Sequence, residues 1–197
     1  MPDVRPFRAW RYDTAVAGPL DSLICPPYDV IDAAAAQRLL DRNPHNVIHL
    51  ELGPGSTDPT APDNRYARAA ATLDRWIASG VIRPDETPCL YVYEQRFRLD
   101  GAARRRTSFF AAVRLTPWAS GDVLPHEATL AAPKADRLAL LEATRTNVSP
   151  IHALCDSALP GVGRTLRRAA QERGDAGATD TDGERHRLWA CLLYTSP

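Results

Sequence analysis

Two hydrophobic periods organise this chain. Between Asn64 and Ser79, Tyr66, Ala69, Ala70, Leu73, Trp76 and Ile77 recur at helical spacing, with Arg65, Arg68, Thr72 and Arg75 opposite on a solvated face. Gly80 stands where a left-handed residue closes such a helix. Leu90 to Leu99 and Arg104 to Leu115 are β-rich runs flanking Asp100-Gly101, and both turn residues tolerate positive φ, so a hairpin is predicted. Val4 to Tyr12 reads as a strand entered through Pro6. Asn46 to Leu52 reads as another, with Val47, His49 and Glu51 on one face and Ile48, Leu50 and Leu52 on the other.

Asp32 caps an alanine-rich helix running to about Arg42, which Asn43-Pro44 stops. A further helix is predicted from Pro133 to about Asn147, with proline in the first turn where its missing N–H is harmless. A short strand from Val148 to Cys155 and a helix from Leu159 to Glu172 follow. Leu23 to Ile31 carries two prolines and reads as an extended loop, and Gly53 to Asp63 reads as a surface loop close to a site. Arg173 to Gly183 reads as a polar linker, after which Arg185 to Trp189 begins a strand. Strands and helices mix without strict βαβ alternation, so the expected fold is α+β or mixed-sheet α/β, with the hairpin at 90–115 and flanking helices. No internal repeat is present.

Composition narrows the function classes. The chain has 197 residues, 44% hydrophobic and 24% charged, with a formal net charge of +0. That length suits one domain, or a domain with part of a second. Without a basic field, binding to nucleic acid or to an anionic membrane is not expected. The 4 cysteines, Cys25, Cys89, Cys155 and Cys191, are widely separated, which supports neither a zinc ribbon nor a redox dithiol. No metal site is expected. The opening Met-Pro-Asp-Val-Arg-Pro lacks an apolar signal region, and no run is long enough to span a bilayer. Free thiols in a reducing cytoplasm are the expectation. Cys191 to Pro197 matches one reading-frame translation of a transposase adapter used in sequencing libraries, so natural sequence is expected to end near Ala190 in a truncated gene product.

Candidate chemistry gathers in three stretches. Cys25-Pro-Pro-Tyr-Asp-Val30 sets Tyr28 and Asp29 on a rigid loop before a helix, suited to preorganised hydrogen bonding or simply to ending a turn. His126 and Glu127 are adjacent and suit acid–base work if a third partner converges, or a structural pair if none does; the H-E-x-x-H spacing of a zincin is absent. In the third stretch, Lys134 is the single lysine among 24 basic residues. An ammonium is a compact charge that can lose its proton, which a guanidinium cannot. Lys134, Leu138, Leu141 and Arg145 share one stripe, its ends roughly 16 Å apart at ~1.5 Å per residue. Leucines at its centre predict a core face with Lys134 at its edge. Arg137 flanks that stripe, and Asn147 and Ser149 offer polar groups at its exit.

The segments PFRAWRYD, CPPYDVI, NPHNVIHLEL, RYARAAATLDRWIASGVI, LYVYEQRF and LPHEATLAAPKADRLALLEATRTNVSPI resemble the bacterial and archaeal domain-of-unknown-function family DUF1015, from about Pro6 to Trp189. Members of that family, sometimes labelled ParB-like, continue into an Asp-Gly-His-His-Arg segment that this chain lacks. That segment is similar to the nucleotide-phosphate site of ParB-like proteins and of free-serine kinases in the ParB/sulfiredoxin superfamily. The resemblance implies a nucleotide-dependent small-molecule phosphotransferase, serine-kinase-like, using ATP or ADP with Mg²⁺; without the segment, this chain is expected to be inactive. In that role Glu127, Asp29 or His126 would handle protons or metal. Lys134, Arg137, Arg145, Tyr28, Asn147 and Ser149 would hold phosphate or substrate. The alternative is a noncatalytic nucleotide- or metabolite-binding regulator. The phosphoryl acceptor and the oligomeric state are not legible.

Overall fold

The computed structural model describes residues 2–126, 128–154, 160–171 and 174–191. In chain order the elements are β1 (Val4–Arg5), β2 (Trp10–Tyr12), α1 (Thr14–Ala17), α2 (Ala33–Arg42), α3 (Ile48–Glu51), α4 (Arg65–Ala78), β3 (Ile82–Pro84) and β4 (Leu90–Leu99). There follow β5 (Ala102–Phe110), β6 (Ala112–Val113), α5 (Ala131–Thr144), α6 (Pro160–Ala169), β7 (Ala176–Thr179) and β8 (Arg185–Cys191). Helices and strands are both present, as an α+β fold requires. None of the described helices is long and apolar enough to cross a membrane. The chain divides into two compact units, one built on the sheet and one on the helices.

The sheet unit takes Met1–Arg11, Pro84–Glu127 and Leu154–Pro197. Its four-stranded sheet has the order β5-β4-β8-β7, and every pair is antiparallel. The β4–β5 hairpin turns at Asp100 (φ 51°) and Gly101 (φ 76°), the two positive-φ positions that Asp-Gly supplies. Val92, Trp189 and Ala170 form its small core, with Leu166 and Ala169 of α6 packed against them. The strand expected from Val4 to Tyr12 is interrupted: β1 pairs with β6, and Phe7 bridges to Cys89. The expected linker before Gly183 instead holds β7, an Ala-Gly-Ala-Thr strand that pairs with β8 despite its low hydrophobicity.

The helical unit takes Tyr12–Arg83 and Ala128–Ala153. Tyr66, Ala69, Leu73 and Trp76 of α4 pack with Leu23, Leu50, Val81, Ile82 and Leu140 in one core. Ile77 does not join them and is 38% exposed. Asp32 caps α2 as expected, its side chain accepting the Ala35 N–H, and Asn64 caps α4 by accepting from Ala67.

The predicted strand from Asn46 to Leu52 is wrong, because that segment forms the helical turn α3. Asn46 is fully buried; its Oδ1 accepts the Ile48 N–H at 2.9 Å, and its Nδ2 donates to the Ser22 and Ile24 carbonyls at 2.8 and 3.0 Å. These bonds satisfy a buried amide and start the turn. Ile48, Leu50 and Glu51 then turn inward together, which strict alternation forbids. The segment from Val148 to Leu154 is irregular rather than a strand, with Pro150 removing a backbone donor, and Cys155 lies outside the described residues.

Candidate functional site

In the helical unit, two carboxylates, two guanidiniums, a serine and two tyrosines converge. Glu51, on α3, is 6% exposed. Arg137, on α5, donates from Nη1 to Glu51 Oε2 at 2.5 Å and from Nη2 to the Glu51 carbonyl at 3.3 Å. The same guanidinium donates from Nε and Nη2 to Asp136 Oδ2 at 2.9 and 2.5 Å. Asp136 Oδ1 accepts from Arg65 Nη2 and, at 2.6 Å, from the Tyr66 hydroxyl. The Ser149 hydroxyl donates to Glu51 Oε1.

Local sequence explains each placement. Pro26 and Pro27 lead into a single 3-10 turn, Tyr28–Val30, which lays the Tyr28 ring 4.0 Å from the Arg137 guanidinium carbon. A planar guanidinium on a ring face gains cation–π attraction and still directs its N–H groups sideways to carboxylates. Asp136 and Arg137 are neighbours on the inward side of α5, which continues through Leu140 and Thr144. Gly53 follows α3 closely, and a Cβ there would stand 2.5 Å from the His49 carbonyl oxygen.

Electrostatics within the cluster are balanced, since Glu51 and Asp136 carry two negative charges and Arg65 and Arg137 two positive ones. Burial opposes ionisation of Asp136, but hydrogen bonds from Tyr66, Arg137 and Arg65 outweigh it and hold its carboxyl below the ordinary value. Burial pushes the Cys25 thiol up to about 12, with the Glu51 charge adding to the effect. Tyr66 is raised by burial and by the Asp136 bond. Among the described side chains, Arg65 Nε and His49 Nε2 are buried polar atoms of this unit with no hydrogen-bond partner. Such atoms have capacity for a ligand or water.

Of the residues expected from sequence, Arg137 and Ser149 meet at Glu51, and Tyr28 lies against the Arg137 guanidinium. Arg137 commits its guanidinium to Glu51 and Asp136. Asp29, Lys134, Arg145 and Asn147 lie in the same unit and are exposed. The expected stripe of Lys134, Leu138, Leu141 and Arg145 is not the core face, because Leu138 and Leu141 are 54% and 40% exposed. The inward stripe runs instead through Asp136, Arg137, Leu140 and Thr144; polar residues at the site end of α5 disguise it. The helix also ends before Arg145, which adopts φ 53° as its left-handed cap. His126 is exposed and falls within the sheet unit, and Glu127 lies outside the described residues.

Sequence reasoning misses Glu51, Asp136, Arg65 and Tyr66 as members of a site. The mistaken strand hides Glu51. Arg65 reads as part of a solvated face, yet its side chain is only 16% exposed. Its position four residues before buried Ala69 is the available signal.

A family model described as "Protein of unknown function (DUF1015)" matches residues 4–192. No curated protein and no solved structure matches the chain.

Proposed function

The chain belongs to the DUF1015 family, and from that premise we propose that the Glu51 centre is the hydroxyl-binding side of a nucleotide-dependent small-molecule phosphotransferase. One observation carries this reading: the buried Glu51 carboxylate already accepts an alcohol, the Ser149 hydroxyl, on Oε1. A substrate hydroxyl taking that place would be oriented by Glu51, with Arg137 fixed behind the carboxylate by Asp136 and Tyr28. Phosphoryl transfer rests mainly on positioning and charge. The hydroxyl oxygen forms the new P–O bond, its proton passes to Glu51, and the bridging P–O bond of the donor breaks with its electron pair on the leaving phosphate.

ATP or ADP would supply the phosphoryl group. Exposed Lys134, one helical turn before Arg137, and exposed Arg145 fit phosphate in type. Glu51 and Asp136 are already held by guanidiniums, so exposed Asp29 is the carboxylate that would hold Mg²⁺, whose charge offsets that of the phosphates. Turnover of ATP or ADP with serine and other small alcohols, by a form extended through the family's Asp-Gly-His-His-Arg segment, tests the reading. Glu51→Gln is expected to lower the rate at least a hundredfold, and Lys134→Arg about tenfold or more. Smaller losses in a folded variant count against these roles.

The mutual pairing of all four charges favours a second reading, a noncatalytic nucleotide- or metabolite-binding module of the ParB-like kind. It predicts that ligand raises the Tm with no turnover.

A further inference from the structure

A separate group of ligating side chains lies in the sheet unit, at the β7–β8 hairpin. Asp180 N–H donates to the Glu184 carbonyl at 3.0 Å and closes the turn. Asp180 Oδ1 accepts the N–H groups of Asp182 and Glu184, both at 2.9 Å. Those two bonds fix the carboxylate and direct Oδ2 to His186 Nε2, 3.0 Å away. Glu184, just before β8, and His186, on it, are two residues apart, a spacing that extended backbone turns to one side. One ligand atom from each of Asp180, Glu184 and His186 lies within 4.8 Å of the others.

Groups that are not themselves ligands orient the side chains. Tyr93 Oη is 2.5 Å from His186 Nδ1, and the two rings stack at 5.9 Å with 12° between planes. Gln95 Nε2 donates to Glu184 Oε2 at 2.5 Å. Arg106 donates to Gln95 Oε1, so two carboxylates face one cation at one remove, and the site favours a positive ligand. Carboxylates and imidazoles positioned by outer hydrogen bonds are the usual surroundings of a bound metal.

We propose that Asp180, Glu184 and His186 bind a divalent transition-metal ion of the Zn²⁺ or Mn²⁺ class, with Tyr93 and Gln95 as positioning residues. The imidazole nitrogen disfavours Ca²⁺ and Mg²⁺, which prefer oxygen alone. Tetrahedral bonds of about 2.0–2.2 Å set ligand atoms roughly 3.4 Å apart, so the Asp180–His186 pair, now at 3.0 Å, opens slightly while the Glu184 side-chain torsions bring its carboxylate to the ion. With Nε2 on the metal, the His186 proton would sit on Nδ1 and donate to Tyr93 Oη. Three protein ligands leave further positions for water or a substrate.

Co²⁺ titration of the full chain, stripped with chelator beforehand, tests the proposal through the visible d–d bands, with Zn²⁺ competing. One Co²⁺ per chain is expected, without a sulfur-to-cobalt charge-transfer band. His186→Gln and Glu184→Gln should each abolish uptake, and Tyr93→Phe should weaken it about ten- to a hundredfold. Circular dichroism identifies folded variants, and Glu184→Gln decides the matter if His186→Gln does not fold. No uptake by the wild type, uptake unchanged in a folded variant, or a thiolate band would overturn the assignment and leave Asp180, His186 and Tyr93 as a hydrogen-bonded hairpin clasp.

Discussion

Replacing Arg137 by methionine removes a guanidinium that holds Glu51 and Asp136 at once while keeping most of its packing volume. Glu51 is then a buried carboxylate with the Ser149 hydroxyl as its remaining side-chain partner among those described. Breaking a buried ion pair from one side costs about 3–5 kcal/mol. The side chains of Arg137 and Glu51 are 20% and 6% exposed, so water relieves part of that penalty, and about 3 kcal/mol is expected. For a chain of this length the Tm should fall by roughly 6–12 °C. Urea unfolding followed by tryptophan fluorescence reports on this unit through Trp76, packed in its core, once Trp10, Trp118 and Trp189 of the sheet unit are replaced by phenylalanine in the background. Adding Glu51→Gln removes the stranded charge and should restore part of the loss, with a coupling of about 1.5 kcal/mol or more in the double-mutant cycle. A loss below about 1 kcal/mol for Arg137→Met, or strictly additive variants, would refute a buried centre held together by Arg137.

The depressed pKa of Asp136 makes its stabilisation fully present above the ordinary value of 3.8 and lost as pH falls through the lower folded value. The stability gap between wild type and Asp136→Asn should therefore shrink below pH 3.8 in acid titrations of urea midpoints; a gap that widens there would be inconsistent. Raising the Cys25 thiol from 9.0 to about 12 leaves about a thousandfold fewer thiolates at pH 8, so iodoacetamide should label Cys25 at a comparable deficit until the unit unfolds. Labelling at the rate of an ordinary thiol would contradict the burial. Arg145→Gly relieves a left-handed residue and should raise stability by about 1 kcal/mol, while weakening phosphate-dependent binding if Arg145 serves the proposed role. A lower urea midpoint would instead give the Arg145 side chain a structural part.

The helix of Tyr66, Leu73 and Trp76 and the Asp100-Gly101 hairpin are legible in the sequence because period and turn chemistry point the same way. The site is legible only in pieces. Tyr28, Arg137 and Ser149 can be singled out, but not the carboxylate that joins Arg137 to Ser149. Glu51 lies in a segment whose apolar residues fit alternation as well as one helical turn, and the deciding interaction is tertiary: Asn46 bonding the Ser22 and Ile24 carbonyls. The α5 stripe misleads for a related reason. Its inward side carries Asp136 and Arg137, so hydrophobicity marks the wrong face wherever buried positions are ionic. The strand β7 has no side chain larger than threonine to mark it and exists through pairing with β8.

The proposed role of Glu51 is tested most directly by following phosphorylated product by ³¹P NMR, with ATP or ADP and serine, for a form extended through the family's Asp-Gly-His-His-Arg segment, as wild type and as Glu51→Gln side by side. That role predicts product with the wild type and at least about a hundredfold less with a folded Glu51→Gln. Equal rates for the two proteins, or no product from the wild type with any small alcohol, would contradict it.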